Sequence, residues 1–402
     1  MRLFFKTLTI LIVGYSTIGN LIGQSWKPMN LGITDRLTKV YFVNDTIGYI
    51  TDEYGFVHKT MDGGTNWSNV SQTAGVSDLF FFSKDTGFTV GQGIFKTVNG
   101  GTSWSTVLPY RNYFFSVSFP GNTNIGYASA TDTPSFKAII IYKTIDKGST
   151  WNRIDSFSTT FAWPYIYFTD ANNGYLGNYD GTIYKTTNAG LAWTLQYSNP
   201  SQYEIYDFAF PANDTGYAVA DNGTVIKTTD GQNWAAHSTS TTDALNAVFF
   251  ISVDSGYAVG GDGNSSGTIL KTADGGQNWT VDLHTTVTYR DVFFPSEKIR
   301  YVCGDSGVAL KFNADSVSAV DELISENGFK IYPNPSANEF TVDELQFTEE
   351  TFLTIYNSFG ENVYECIVNR NQKTIKHKLT SGIYFVKLQN DLMRFTRKII
   401  IQ

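Results

Sequence analysis

KTMDGGTNW (residues 59–67) recurs five more times: KTVNGGTSW from Lys96, KTIDKGSTW from Lys143, KTTNAGLAW from Lys185, KTTDGQNW from Lys227 and KTADGGQNW from Lys271. The closing tryptophans, Trp67, Trp104, Trp151, Trp193, Trp234 and Trp279, are spaced by 37, 47, 42, 41 and 45 residues. A second phrase precedes each copy: NDTIGY at Asn44, KDTGF at Lys84, NTNIGY at Asn122, ANNGY at Ala171, NDTGY at Asn213 and VDSGY at Val253. Each repeat therefore reads as apolar strand, Asp/Asn-Gly turn, aromatic strand, Gly turn, strand ending in Lys-Thr, Asp/Gly turn and Trp strand. Four short strands at this period describe a propeller blade.

Residues 289–312, YRDVFFPSEKIRYVCGDSGVALKF, repeat the first three strands and then stop. The missing fourth strand is written at the other end, where Ser25-Trp26-Lys27-Pro28 resembles the Trp strands. Pairing the two ends predicts an all-β, seven-bladed propeller over residues 24–313, closed through Trp26 and left without an open sheet edge. Within each turn, Asp62, Asn99, Asp146, Asn188, Asp230 or Asp274 is suited to accept backbone N–H bonds while the glycine takes a positive φ. These six positions, with their tryptophans, are expected to serve folding; burying one tryptophan contributes about 2–3 kcal/mol.

The turn resembles the Asp-box of BNR-type propellers, and residues 24–313 as a whole resemble the photosystem II assembly and stability factor propellers. That resemblance implies the fold. It also implies a mode of action, since those propellers hold a protein segment on one face with arginines.

After Phe312 the pattern ends. Residues 314–328 are small, acidic and polar, as a linker is. Residues 329–402 then alternate as seven short strands, FKIYPNP, EFTVDEL, FLTIYNSFG, NVYECIV, TIKHKL, GIYFVKL and FTRKIIIQ, predicting a small immunoglobulin-like β-sandwich. Tyr332-Pro333-Asn334-Pro335, the stretch LTSGIYFVKL with Gly382 and Tyr384, and the terminal run from Lys398 resemble the type A sorting domain of the type IX secretion system. The resemblance implies passage through that machinery, ending in surface attachment or release. Ala337-Asn338 and Met393-Arg394 are its modest departures.

Arg2 and Lys6 precede an apolar run at residues 8–13, and small residues lead to Gly23. This reads as a cleaved leader over residues 1–23; the apolar run falls short of the roughly 18–20 residues a membrane span needs.

The chain has 37 acidic against 29 basic side chains, a net charge of −8, and residues 24–313 hold 25 acidic against 18 basic. That balance excludes a phosphate-binding surface, so no nucleic-acid partner is expected. Cys303 and Cys366 fall in different domains, and the four histidines, His58, His237, His284 and His377, show no paired spacing. No metal site, cofactor or catalytic residue is therefore assigned.

Arg36, Arg111 and Arg290 each stand just before the first strand of a blade, where outer-to-inner loops converge on one face around the channel. Tyr203, Glu204 and Tyr289 fall in the same loops, as do Asp35, Asp78, Trp163, Asp243 and Asp291, with Asp52, Glu53, Tyr179, Asp180, Asp262 and Asp305 in the second-turn loops. The six residues Arg36, Arg111, Tyr203, Glu204, Tyr289 and Arg290 form the expected ligand surface of a monomeric, exported binding or adhesion module. Its partner would be an extracellular protein or polysaccharide. The competing expectation is a glycoside hydrolase of the sialidase or xyloglucanase type. Against it, Tyr203 and Glu204 are adjacent on the chain and point apart in a strand, and no Arg-Ile-Pro phrase occurs.

Overall fold

The computed structural model describes residues 26–109, 111–314, 330–343, 351–357, 362–368, 374–389 and 394–402. The expected leader and all but the first residue of the expected linker lie outside them. The chain divides into two compact units, residues 24–315 and residues 316–402.

Among the described residues the first unit contains seven four-stranded antiparallel sheets. Six run in simple chain order, the first through Leu37–Phe42, Gly48–Asp52, Phe56–Thr60 and Ser68–Gln72. The first strand of each sheet contacts the first strands of its two neighbours, and the cycle closes where Tyr289–Phe293 meets Leu37–Phe42. The seventh blade takes its outer strand from the other end of the unit: Lys27, Pro28 and Met29 pair antiparallel with Lys311, Leu310 and Ala309.

The repeated phrases are latches between blades as well as turns within them. Tyr217 hydroxyl and Lys227 Nζ both donate to Gly275 O in the following blade's turn, at 2.8 and 2.6 Å. Tyr175 and Lys185 grip Gly231 O in the same way, and Tyr301 and Lys311 grip Gly63 O across the ring closure. The latch tyrosine stacks on a phenylalanine of the next blade: Tyr127 on Phe168 at 3.5 Å and 4°, Tyr49 on Phe81 at 3.8 Å and 6°. The glycine before that tyrosine answers a close approach, since a Cβ on Gly48 would lie 2.4 Å from the Phe42 ring.

Each turn is closed by its own side chains. Asp62 Oδ1 accepts from Thr60 Oγ1 and from the Asn66 amide, while Thr60 Oγ1 accepts from the Gly64 amide. These hydrogen bonds hold the exposed carboxyls of Asp62, Asp146 and Asp274 down at about 2, and that of Asp230 lower still. The left-handed position is not reserved for glycine, because Lys147 and Ala189 occupy it with φ of 60° and 63°. Trp151 and Trp279 are buried, whereas Trp67, Trp104, Trp193 and Trp234 are half-buried, so the burial figure applies in full to only two.

One seam differs. Blade seven has Arg300 where the other blades have the glycine, and it carries no repeated turn for blade six to grip. Arg300 Nη1 instead donates to the blade-six tyrosine, Tyr257, at 3.0 Å, and the guanidinium lies 4.3 Å from the Phe312 ring centre. Trp26 packs 5.5 Å from Phe312 and donates to Asp282 Oδ2 at 2.8 Å, while Lys271, the latch lysine, pairs with Asp282 Oδ1 at 2.6 Å.

The second unit is a three-stranded sheet (Lys330–Tyr332, Glu339–Asp343, Thr374–Lys376) and a four-stranded one (Asn362–Val368, Thr351–Tyr356, Gly382–Gln389, Arg394–Ile401). Phe340, Val342 and Ile375 of the first share one core with Leu353, Ile355, Val386 and Ile399 of the second. Asn334 accepts from the Ile400 amide and donates to Lys398 O, and the Ser336 amide donates to Ile400 O, so the Tyr-Pro-Asn-Pro segment is stapled to the chain end. Tyr384 hydroxyl closes the preceding turn on Thr380 O, and Tyr332 and Lys398 are exposed.

Candidate functional site

Strand direction sorts the propeller's loops into two faces. Each first strand runs from the outer-to-inner loop toward the Asp/Asn-Gly turn, so the repeated turns lie on one face and the outer-to-inner and second-turn loops on the other. The two kinds of loop on that second face are stitched together: Glu53 N donates to Arg36 O, Gly307 N to Asp35 O, and Gly223 N to Asp243 O.

Arg36 and Arg290 converge on one carboxylate. Arg290 binds Asp305 through both oxygens at 2.8 Å, and Arg36 Nε lies 3.2 Å from Oδ1. Arg36 is the more exposed of the two. Arg111 is exposed in its own loop, where its carbonyl accepts from Thr133 Oγ1. Tyr203 is half-buried, with its hydroxyl accepting from Asn222 Nδ2 at 3.3 Å.

Two of the six expected surface residues are inside. Tyr289 is 1 % exposed, packed among Val259, Val292 and Val302, with its hydroxyl against Thr285 Oγ1; it opens the innermost strand of blade seven and belongs to the core. Glu204 is 5 % exposed and its Oε1 has no hydrogen-bond partner among the described residues. Asp221 beside it accepts from both the Glu204 amide and the Tyr206 hydroxyl. Burial first, then the Asp221 charge, push the Glu204 carboxyl up to about 8.

Other loop carboxylates are occupied as caps. Asp243 accepts from Ser266 and Thr268, Asp262 from three successive amides, and Asp52 from the Tyr54 and Phe56 amides while facing His58.

Asp78 and Asp291 are not on the loop face either. With Lys39, Tyr165 and Asp207 they line an axial cavity of about 420 Å³. Each aspartate follows a bulged residue of an innermost strand and reaches the next blade: Asp291 accepts from the Val40 amide at 2.8 Å, Asp78 from Val117 at 2.9 Å, and Asp207 from Val248 at 3.0 Å. These bonds satisfy inner-edge amides that the sheets leave unpaired. Lys39 stands 3.5 Å from Asp291; burial opposes its charge, but Asp291, Asp78 and Asp207 outweigh it and hold its pKa above the usual value. Burial pushes Asp207 up to about 7, with Lys39 limiting the rise. Lys39 and Asp207 were not expected at any site. Their signal was a charge standing among apolar residues in LTKVYF and IYDFAF.

Also unforeseen was the gathering of aromatic loop residues from blades three and four. Trp163 lies 5.5 Å from Phe161 and 5.7 Å from Tyr179, which is 45 % exposed. Only Trp163 and Tyr179 were singled out from the sequence; Phe136 and Phe161 reach them through loop geometry that repeat alignment does not give.

Comparison with known proteins follows this division of the chain. Residues 330–402 match the secretion system C-terminal sorting domain. The propeller matches two family profiles over parts of its length, the photosynthesis system II assembly factor YCF48 at residues 69–202 and the DUF6242 beta propeller domain at residues 164–309. Among solved structures, YCF48 from Cyanidioschyzon merolae is similar at TM-score 0.57 and 18 % identity, covering 73 % of this chain and 99 % of its own. The WD40 beta propeller domain of Doa1 is similar at TM-score 0.58 and 12 % identity, covering 72 % and 96 %. The GH74 xyloglucanase from Xanthomonas campestris is similar at TM-score 0.55 and 11 % identity, covering 74 % of this chain and 54 % of that enzyme. At these identities the likeness is one of fold. No curated relative matches the sequence. A propeller joined to this sorting tail is an exported protein, and the tail implies the type IX secretion machinery.

Proposed function

We propose that the protein is a secreted or cell-surface binding module, without catalysis, that holds an extracellular protein or polysaccharide on the loop face. The reading rests on one observation: the repeated residues are spent on the opposite face as turns and latches, while the side chains that differ from blade to blade gather here. Arg36, Arg290, Arg111 and Tyr203 supply the polar contacts. Glu204 is buried in the loop of Tyr203, where its amide donates to Asp221; Tyr289 is withdrawn from the surface. The photosystem assembly propellers that the chain resembles are consistent with a face that holds a partner.

Glycoside hydrolysis is the second reading, and Glu204 is the observation that favours it, since a carboxyl whose hold on its proton is strengthened by burial is how a general acid is prepared. Its burial, and the hydrogen bond that each Asp221 oxygen already accepts, weigh against a reacting sugar reaching either group. A glycan and peptide screen that records both retention and reducing-end release separates the two. Retention without release, weakened by Arg36→Ala with Arg290→Ala, supports binding. Release abolished by Glu204→Gln contradicts it.

A further inference from the structure

We infer that the aromatic cluster at the blade-three and blade-four loops is a stacking subsite for a neutral polysaccharide chain. The inference rests on the loop face being the ligand face. Phe136, Phe161, Trp163 and Tyr179 come from three loops and none is fully buried.

Their geometry differs from that of the structural aromatics. Latch pairs lie face to face, at 4° for Tyr127 and Phe168 and 13° for Tyr217 and Phe250, so each ring consumes the other's face. In the cluster Phe136 lies nearly parallel to Phe161, at 15° and 6.0 Å, but Phe161 meets Tyr179 at 60°, Trp163 meets Tyr179 at 79° and Phe161 meets Trp163 at 54°. Edge-on contacts leave ring faces available to a ligand.

The cluster is also held in advance. Asn178 is fully buried; its side chain accepts from the Trp163 amide and donates to Phe161 O, fixing the loop between them. Phe136 sits at φ 54°, a left-handed conformation that is unfavourable for a bulky residue, and is kept there by its amide on Asp132 O and its carbonyl on the Ala162 amide. Backbone strain that the surroundings over-determine, and that brings one more ring to an open surface, points to recognition.

Charge selects the occupant. The charged groups on these loops are Arg111, on the loop bonded to Thr133, Lys137 next to Phe136, Asp132, which caps the Phe136 loop, and Asp180, held by Thr182 and Thr159, and the two positive and two negative charges cancel. A neutral pyranose chain, with apolar CH faces for the rings and hydroxyls for a guanidinium and a carboxylate, matches this pattern. A strongly charged chain does not.

The test uses the full chain in affinity electrophoresis against xyloglucan, glucomannan and polygalacturonate, with tryptophan fluorescence as a second signal. Retardation by xyloglucan or glucomannan is expected. Trp163→Ala should weaken it about tenfold, and the exposed Tyr179→Ala about threefold with an unchanged melting temperature. Absence of retardation by either neutral polymer, or retardation by polygalacturonate alone, overturns the inference. Retardation that survives both aromatic substitutions but is lost in the Arg36→Ala, Arg290→Ala variant also overturns it, and leaves the loop face standing as the ligand face. Cleavage of the polymer that is weakened by Tyr179→Ala upholds the subsite and refutes the non-catalytic reading.

Discussion

The two faces of the propeller use similar residue types for opposite ends. On the turn face a tyrosine, a lysine and an acidic residue recur in most blades and are committed to the ring: Lys227 and Tyr217 share one carbonyl, and Asp274 closes its own turn. On the loop face tyrosine, arginine and acidic residues occur in some blades and not in others, and Arg36, Arg111 and Tyr179 project outward. Repetition marks what the ring needs to stand, and departure from repetition marks what the molecule can recognise. A general preference for aromatic or charged residues would not have separated the two.

The contrast is broken most severely at the ring closure. Removing residues 26–31 takes away the strand paired with residues 309–311 together with the Trp26 contacts to Phe312 and Asp282. Trp26→Ala alone is expected to cost about 3 kcal/mol, somewhat less than full burial would imply, and the deletion more. Thermal denaturation of both variants checks this; an unchanged melting temperature for the deletion would show that the closing strand contributes nothing.

A single latch is worth less. Tyr217→Phe keeps the stack on Phe250 and loses only the hydroxyl bond to Gly275 O, which Lys227 still holds, for an expected loss of about 1 kcal/mol. On the loop face Tyr203→Phe, which removes a hydroxyl that accepts one long bond from Asn222, should leave denaturant midpoints within about 0.5 kcal/mol of the native protein. Equal losses from the two tyrosines would erase the proposed distinction.

Glu204 sharpens it through pH. Its carboxyl goes from an ordinary value of 4.5 up to about 8 in the fold, so the folded state retains the proton more firmly than the unfolded one. Its contribution to stability is therefore full below pH 4.5, falls as pH rises toward 8 and is level above. Glu204→Gln should remove that part of the pH dependence and be the more stable form, relative to the native protein, at pH 9 than at pH 4. Parallel stability profiles for the two proteins across this range would show that the carboxyl is not held neutral.

Much of this was legible in the sequence, for a physical reason. The repeated turn carries its own hydrogen-bond partners within nine residues, so its pattern survives in one dimension, and the three-strand remainder at residues 289–312 exposes the missing strand. The tail's strands are legible by alternation. What sequence could not give was depth. Asp78, Asp291 and Tyr289 stand at the starts of inner strands, and the bulges at residues 77 and 290 decide that the aspartates turn into the channel. Arg36 and Arg290 are far apart along the chain, and only ring closure brings both to Asp305. The latches were hidden for the same reason, because a turn and the lysine that grips it belong to different repeats.

The division of labour between the faces is tested most directly by measuring, at one temperature where all proteins are folded, retention on the polysaccharide and host-envelope protein panel of the native chain, the Arg36→Ala, Arg290→Ala variant and the Tyr217→Phe variant. The account predicts that the double arginine variant loses retention while its melting temperature stays within a few degrees, and that Tyr217→Phe melts earlier yet binds as the native protein does. Undiminished retention by the arginine variant, with retention lost in Tyr217→Phe, would place the ligand on the turn face and contradict it.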